Sequence, residues 1–162
     1  MMNRSSIALF SALLLFLPEV LAQERITNYI PSAKPERVIL NINGDPATTM
    51  AVTWRTDTTV TESLAQIIVN LPVVLHGDSA RTVTGTWQDV TADGITARFH
   101  SVVFTGLNPA TTYAYRVGSG TDASEWFTFR TAEAGNAPFT FLWLGDSQGP
   151  ISSYARIIRQ AY

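Results

Sequence analysis

Cysteine is missing from this chain altogether, so no disulfide braces it and its core must hold by packing alone. Histidine is almost as scarce, with His76 and His100 the only two. Charge is thin as well. Charged residues make up 15% of the chain, the basic ones are ten arginines and the single Lys34, and the net charge is -2. These charges are scattered and form no basic cluster, so nucleic acid is not expected as a partner. No apolar run reaches the roughly 20 residues that span a bilayer, and no repeat of about 20–50 residues recurs. What remains is a chain of 162 residues, 46% apolar, with the composition of a globular protein.

The first 22 residues read as a secretory signal peptide. Arg4 supplies the positive start, Ile7 to Leu17 an apolar stretch of the length a secretory signal uses, and Pro18 ends it. Val20-Leu21-Ala22 provides the cleavage site, so the mature protein is expected to begin near Gln23, to be secreted (extracellular or periplasmic) and to have no membrane attachment. Gln23 to Glu36, with Pro31 and Pro35, is expected to be an extended lead-in.

Short β-type runs follow, separated by turn residues at the roughly 8–12 residue spacing of a sandwich. They cover residues 37–41, 49–55, 64–71, 81–87, 98–105, 112–117 and 125–130, with turns at Asn43-Gly44-Asp45-Pro46, His76-Gly77-Asp78 and Asp93-Gly94. Alternation is plain in the second run, where Met50, Val52 and Trp54 share one face, and in the sixth, where Tyr113, Tyr115 and Val117 do. About seven strands predict a fibronectin type III or immunoglobulin-like β-sandwich over residues 32–131. Leu107-x-Pro109-x-x-x-Tyr113 has the spacing of a tyrosine corner, in which the hydroxyl turns back onto upstream backbone. Trp54 is assigned to the core, and Trp87, Trp126, Phe127 and Phe129 to core or edge positions. A sugar-binding platform of exposed aromatics is the lesser alternative.

Residues 132–138 form a small-residue linker, and the pattern then changes. Phe139 to Leu144 is apolar at nearly every position, as in a strand covered on both faces. Pro150 suits a first helical turn, and Ile151, Tyr154, Ile158 and Ala161 recur at helical spacing. Residues 139–162 thus look like the first strand and helix of an α/β unit, with no sheet to join, so that they are expected to be poorly ordered or to stick to a neighbour. Between them lies Gly145-Asp146-Ser147-Gln148-Gly149. A strand ending in Gly-Asp delivers a carboxylate to the sheet rim where ligands bind. That carboxylate could ligate a metal of a dinuclear phosphoesterase. Alternatively Ser147 could be the nucleophile of a Gly-Asp-Ser esterase, or both residues could simply cap the helix.

Three blocks together carry a resemblance: Met50-Ala51-Val52-Thr53-Trp54, the stretch from Phe99 to Gly118, and Phe127-Thr128-Phe129-Arg130-Thr131. They are similar to the N-terminal domain of purple acid phosphatases, in which a fibronectin-like module precedes a calcineurin-like metallophosphoesterase domain. The resemblance spans Pro35 to Gly149. It implies that Asp146 is a metal ligand and that residues 139–162 are the truncated start of the metallophosphoesterase domain. For the intact enzyme it implies a dinuclear centre of Fe with Zn, Mn or Fe, acting on phosphate monoesters. The family pattern commonly reads Gly-Asp-x-Gly where this chain has Gln148, and its later ligand motifs are absent from these residues. The chain as given is therefore expected to lack phosphatase activity, and His100 is expected to be structural. A non-catalytic secreted binding module is the remaining alternative.

Overall fold

The computed structural model describes residues 30–71, 79–145 and 151–161. The segment expected to be a signal peptide, the first half of the expected lead-in (residues 23–29) and the His76-Gly77-Asp78 turn lie outside the described residues. Two compact units divide the chain, Met1–Ala132 and Glu133–Tyr162.

In the first unit eight strands follow one another: β1 Glu36–Asn41, β2 Met50–Thr56, β3 Leu64–Val69, β4 Arg81–Thr84, β5 Thr86–Ala92, β6 Ile95–Phe104, β7 Thr112–Val117 and β8 Phe127–Arg130. They form two antiparallel four-stranded sheets, ordered β1-β2-β6-β5 and β4-β3-β7-β8. The fold is a β-sandwich, as the strand pattern predicts. The inner faces meet in one apolar layer: Met50, Val52, Trp54, Val102 and Phe104 from the first sheet, and Ala65, Ile67, Tyr113, Tyr115 and Val117 from the second. The alternations read in β2 and β7 therefore point into this core. Phe127 and Phe129 of β8 pack against it, with Phe129 lying 5.7 Å from both Tyr113 and Tyr115.

The run expected over residues 81–87 is not one strand. It breaks at Gly85, with β4 in one sheet and β5 in the other, so the described residues form eight strands where the spacing suggested about seven. Gly85 is where the chain changes sheets. A Cβ there would sit 1.9 Å from the Ser101 carbonyl oxygen, so only glycine allows the crossing strand to pass so close to β6. Asp93 and Gly94 then turn β5 back into β6 with φ of 52° and 75°. Positive φ at both central residues marks a type I′ turn, and Asp-Gly is the dipeptide that turn favours.

The tyrosine corner forms as its spacing predicts. The Asn108 amide donates to the Tyr113 hydroxyl oxygen at 2.9 Å, and Leu107 beside it is buried. Thr131 closes the same corner from the far side. Its hydroxyl donates to the Asn108 carbonyl at 2.7 Å and accepts from the Thr111 amide at 2.9 Å.

In the second unit a helix, α1 Ile151–Ala161, forms where the spacing of Ile151, Tyr154, Ile158 and Ala161 placed it. Phe139 to Leu144, a run with the composition of a strand but expected to have no sheet to join, forms no strand. Residues 139–145 carry no strand pairing, and Phe139, Phe141, Leu142 and Trp143 are exposed. A strand needs a hydrogen-bonded neighbour, and among the described residues of this unit there is none to supply one.

Two substitutions test these constraints. Tyr113→Phe removes the acceptor for the part-buried Asn108 amide, and should lower unfolding stability by about 1–3 kcal/mol with an unchanged denaturant m-value. Gly85→Ala should be worse, because its methyl group meets backbone. A soluble yield and melting temperature like those of the parent chain would show that the crossing is not as tight as described.

Candidate functional site

Asp146, the carboxylate singled out as a metal ligand, lies outside the described residues, as do Ser147 and Gln148. Among the described residues no group of three or more His, Cys, Asp or Glu side chains converges in a way that could hold a metal ion. The polar chemistry that the structure does describe is gathered instead around His100, at one end of the sandwich.

His100 sits on β6 on the core-facing side, in step with Val102 and Phe104, and is 1% exposed. Its ring stacks on Trp54 with centroids 5.0 Å apart and planes 7° from parallel. Both ring nitrogens are engaged: Nε2 lies 2.8 Å from Thr56 Oγ1, and Nδ1 lies 2.8 Å from Ser63 Oγ. Ser63 also donates to the Thr86 carbonyl at 2.9 Å. Thr56 likewise donates to the Asp57 carbonyl at 2.8 Å, so each hydroxyl bridges a ring nitrogen and a backbone carbonyl, and the two contacts by themselves do not single out one tautomer. The ring thus joins the end of β2, the segment leading into β3, and the start of β5. Through Ser63, the residue before β3, it ties the first sheet to the segment that leads into the second.

Two residues along β6, Arg98 extends the same clamp to the surface. Its guanidinium binds Asp89 through two bonds, Nε to Oδ1 at 2.7 Å and Nη2 to Oδ2 at 2.9 Å, and Nη1 donates to the Val60 carbonyl at 3.0 Å. The guanidinium carbon lies 3.7 Å over the Trp87 ring. Such two-pronged, ring-stacked placement is what arginine does and lysine cannot. Residues 57–63, which carry the chain from one sheet to the other, are therefore gripped at Val60 by Arg98 and at Ser63 by His100.

The serine–histidine contact has the look of a nucleophile and its base, but its setting rules that role out. Ser63 is 2% exposed, its proton is directed at backbone, and no substrate carbonyl can approach it. His100 is structural, in line with the sequence expectation. Trp54 is in the core as expected, although its indole N–H finds no hydrogen-bond acceptor among the described residues. Trp87 is 46% exposed, but the Arg98 guanidinium over its ring takes up a face a sugar would use.

Sequence reading alone passed over Thr56, Ser63, Arg98 and Asp89. One of those contacts was within reach. A two-residue Asp93-Gly94 turn sets Ala92 opposite Ile95, and counting back pairs Asp89 with Arg98, the register observed. Ser63 and Thr56 carry no such signal, since they meet His100 across 37 and 44 residues of chain.

Burial holds the His100 imidazole below its ordinary value of 6.5; the nearby Arg98 charge adds to this and Asp89 opposes it. The unfolded chain thus takes up a proton at a higher pH than the folded one. Stability from the neutral ring is complete above about pH 6.5 and is lost as pH falls through the depressed folded value, at no more than about 1.4 kcal/mol per pH unit for one proton. The Asp89 carboxyl is held below 3.8 by its hydrogen bonds from Arg98, so its contribution is lost only in much stronger acid. Unfolding midpoints measured between pH 7 and 5 should therefore fall in the parent chain and fall less in His100→Gln. Equal slopes in the two would show that the ring does not titrate as described.

The family comparison covers the unit that holds this clamp. The family described as purple acid phosphatase, N-terminal domain, matches residues 35–131. No curated protein matches the chain. Among solved structures it is similar to the fn3 domain of human contactin 1, at 18% identity over 68% of this chain and 86% of that one, with a TM-score of 0.46. It is also similar to the third fibronectin III domain of the human KIAA0343 protein, at 17% identity over 69% and 90%, TM-score 0.41. A computer-redesigned β-sandwich protein shares 24% identity over 63% and 97%, TM-score 0.39. The matched segment begins one residue before β1 and ends one residue after β8, and takes in the sandwich, the tyrosine corner and the His100 clamp: the chain belongs to the purple acid phosphatase N-terminal domain family.

Proposed function

We propose that this chain is the amino-terminal part of a secreted purple-acid-phosphatase-like metallophosphoesterase, in which the β-sandwich is a non-catalytic module placed ahead of the hydrolytic domain. The family match over residues 35–131 carries this reading. Two further features support it: Gly145-Asp146 follows the sandwich after a short connector, and α1 follows that dipeptide, the order in which such a domain would begin. Asp146 is then a ligand to one metal of the dinuclear centre, and phosphate monoesters are the substrates of the intact enzyme.

The residues of this chain do not fit a complete centre. A catalytic metal ordinarily takes about three protein ligands. Here there is no cysteine, and His100 has both nitrogens occupied inside the sandwich. His76 belongs to the β-module segment between β3 and β4 and lies outside the described residues. Asp146 alone would leave most of a metal's coordination to water. Among the described residues the Ser63–His100 pair, which resembles a nucleophile and its base, is sealed in the core.

The 162-residue chain supplied with Fe, Zn or Mn should therefore give no turnover of p-nitrophenyl phosphate. Turnover that disappears in Asp146→Asn would overturn the view that this piece is inactive. The parentage is tested separately on the gene. Coding sequence beyond residue 162 that supplies Gly-Asn-His and Gly-His-x-His supports the metal enzyme, whereas a late Asp-x-x-His would transfer the Gly-Asp-Ser motif to a serine esterase.

A further inference from the structure

Each of the two sheets has two edges, and three of the four are blunted against pairing with another chain. At β1 the register slips between Glu36 and Ile39, and Arg37 is turned to a φ of 51°, so the strand cannot present a regular row of amides. β4 and β8 are four residues each, and each carries an arginine, Arg81 and Arg130. β5 has none of these protections. It is seven residues long, keeps unbroken register with β6 along its whole length, and contains no proline, glycine or lysine. Every one of its residues is exposed, and among the described residues nothing pairs with its outer edge. Its single charge, Asp89, is already neutralised by Arg98.

We propose that this edge is a homodimer interface, in which β5 of one copy pairs antiparallel with β5 of a second copy about a twofold axis at Val90. A copy of the same strand is the occupant that its chemistry fits. With Val90 on the axis, Val90 faces Val90, Asp89 faces Thr91 and Gln88 faces Ala92, so no like charges stand opposite each other. An acidic or basic peptide would find no free charge on this strand to read, since Asp89 is spent within its own chain. The side faces match as well. Val90 (44% exposed) and Phe99 (38% exposed) lie on the outer face of this sheet, on the two paired strands nearest the edge. The twofold would bring the two stripes together as Phe99, Val90, Val90, Phe99 across the seam.

The arrangement also limits itself. Joining two β1-β2-β6-β5 sheets at β5 gives one eight-stranded sheet whose outer ends are both β1, and the bulge at each β1 prevents further addition. The assembly closes at two copies and does not grow into a fibre. This inference is independent of the phosphatase reading and stands or falls apart from it.

Light scattering on the full chain over a dilution series, paired with hydrogen exchange at low and high concentration, tests it. The expected result is a monomer–dimer equilibrium in which the β5 amides become protected as concentration rises. Val90→Lys sets two ammonium groups against each other on the axis, and should raise the dissociation constant at least about tenfold while leaving the melting temperature of the dilute monomer unchanged. Gln88→Lys, at another exposed position of the same face, serves as the second variant should the first fail to fold. A monomer at the highest soluble concentration overturns the proposal. So does a dimer that neither lysine weakens, or one whose concentration-dependent protection falls on the exposed Phe139 to Trp143 segment instead of β5.

Discussion

Everything in the first unit depends on one apolar layer, because no disulfide joins the two sheets. Trp54, Val102 and Phe104 on one side and Ile67, Tyr115 and Val117 on the other exclude water from the gap. Burying such side chains contributes roughly 25 cal/mol per Å² of apolar surface. Without cystine the unfolded chain is unconstrained, so this layer must offset the whole entropy of ordering the strands. That explains why inward positions of β2 and β7 are filled so completely with large apolar and aromatic residues, and why the polar groups that enter the layer, the Trp54 indole N–H excepted, are tied off with hydrogen bonds.

The polar exceptions sit where the apolar layer ends. At one end Tyr113 reaches the Asn108 amide and Thr131 the Asn108 carbonyl, which locks the turn between β6 and β7 to the end of β8. Elsewhere His100 joins Thr56 to Ser63, and Arg98 holds Val60 and Asp89. These groups do not widen the core. They fix the connections between sheets, which hydrophobic contact alone leaves free to slide because it has no direction. The same logic accounts for Gly85, where a strand passes from one sheet to the other too close to β6 for any side chain.

For function this separates two roles that lie next to each other in the chain. In the sandwich the reactive-looking Ser63–His100 pair is consumed in holding the structure together. The Gly145-Asp146 motif belongs to a different kind of unit, in which an apolar segment lies exposed and a strand fails to form for want of a neighbour. Membership of the purple acid phosphatase N-terminal domain family rests wholly on the first unit.

Local pattern was enough to determine the β-class of the chain, the inward faces of β2 and β7, the tyrosine corner and helix α1, since each depends on residues within a few positions of one another. The Asp93-Gly94 turn likewise encodes the pairing of Asp89 with Arg98. Tertiary structure alone decided the rest. The run over residues 81–87 looked continuous because periodicity cannot report that a backbone crosses between sheets, which is a matter of clearance at Gly85. The stretch from Phe139 to Leu144 has the composition of a buried strand, but a strand exists only as one side of a hydrogen-bonded pair. The partners of His100 were hidden for the same reason: Thr56 and Ser63 come to its two nitrogens only once the sheets have closed over them, and a contact made across some forty residues leaves no trace in the neighbouring letters.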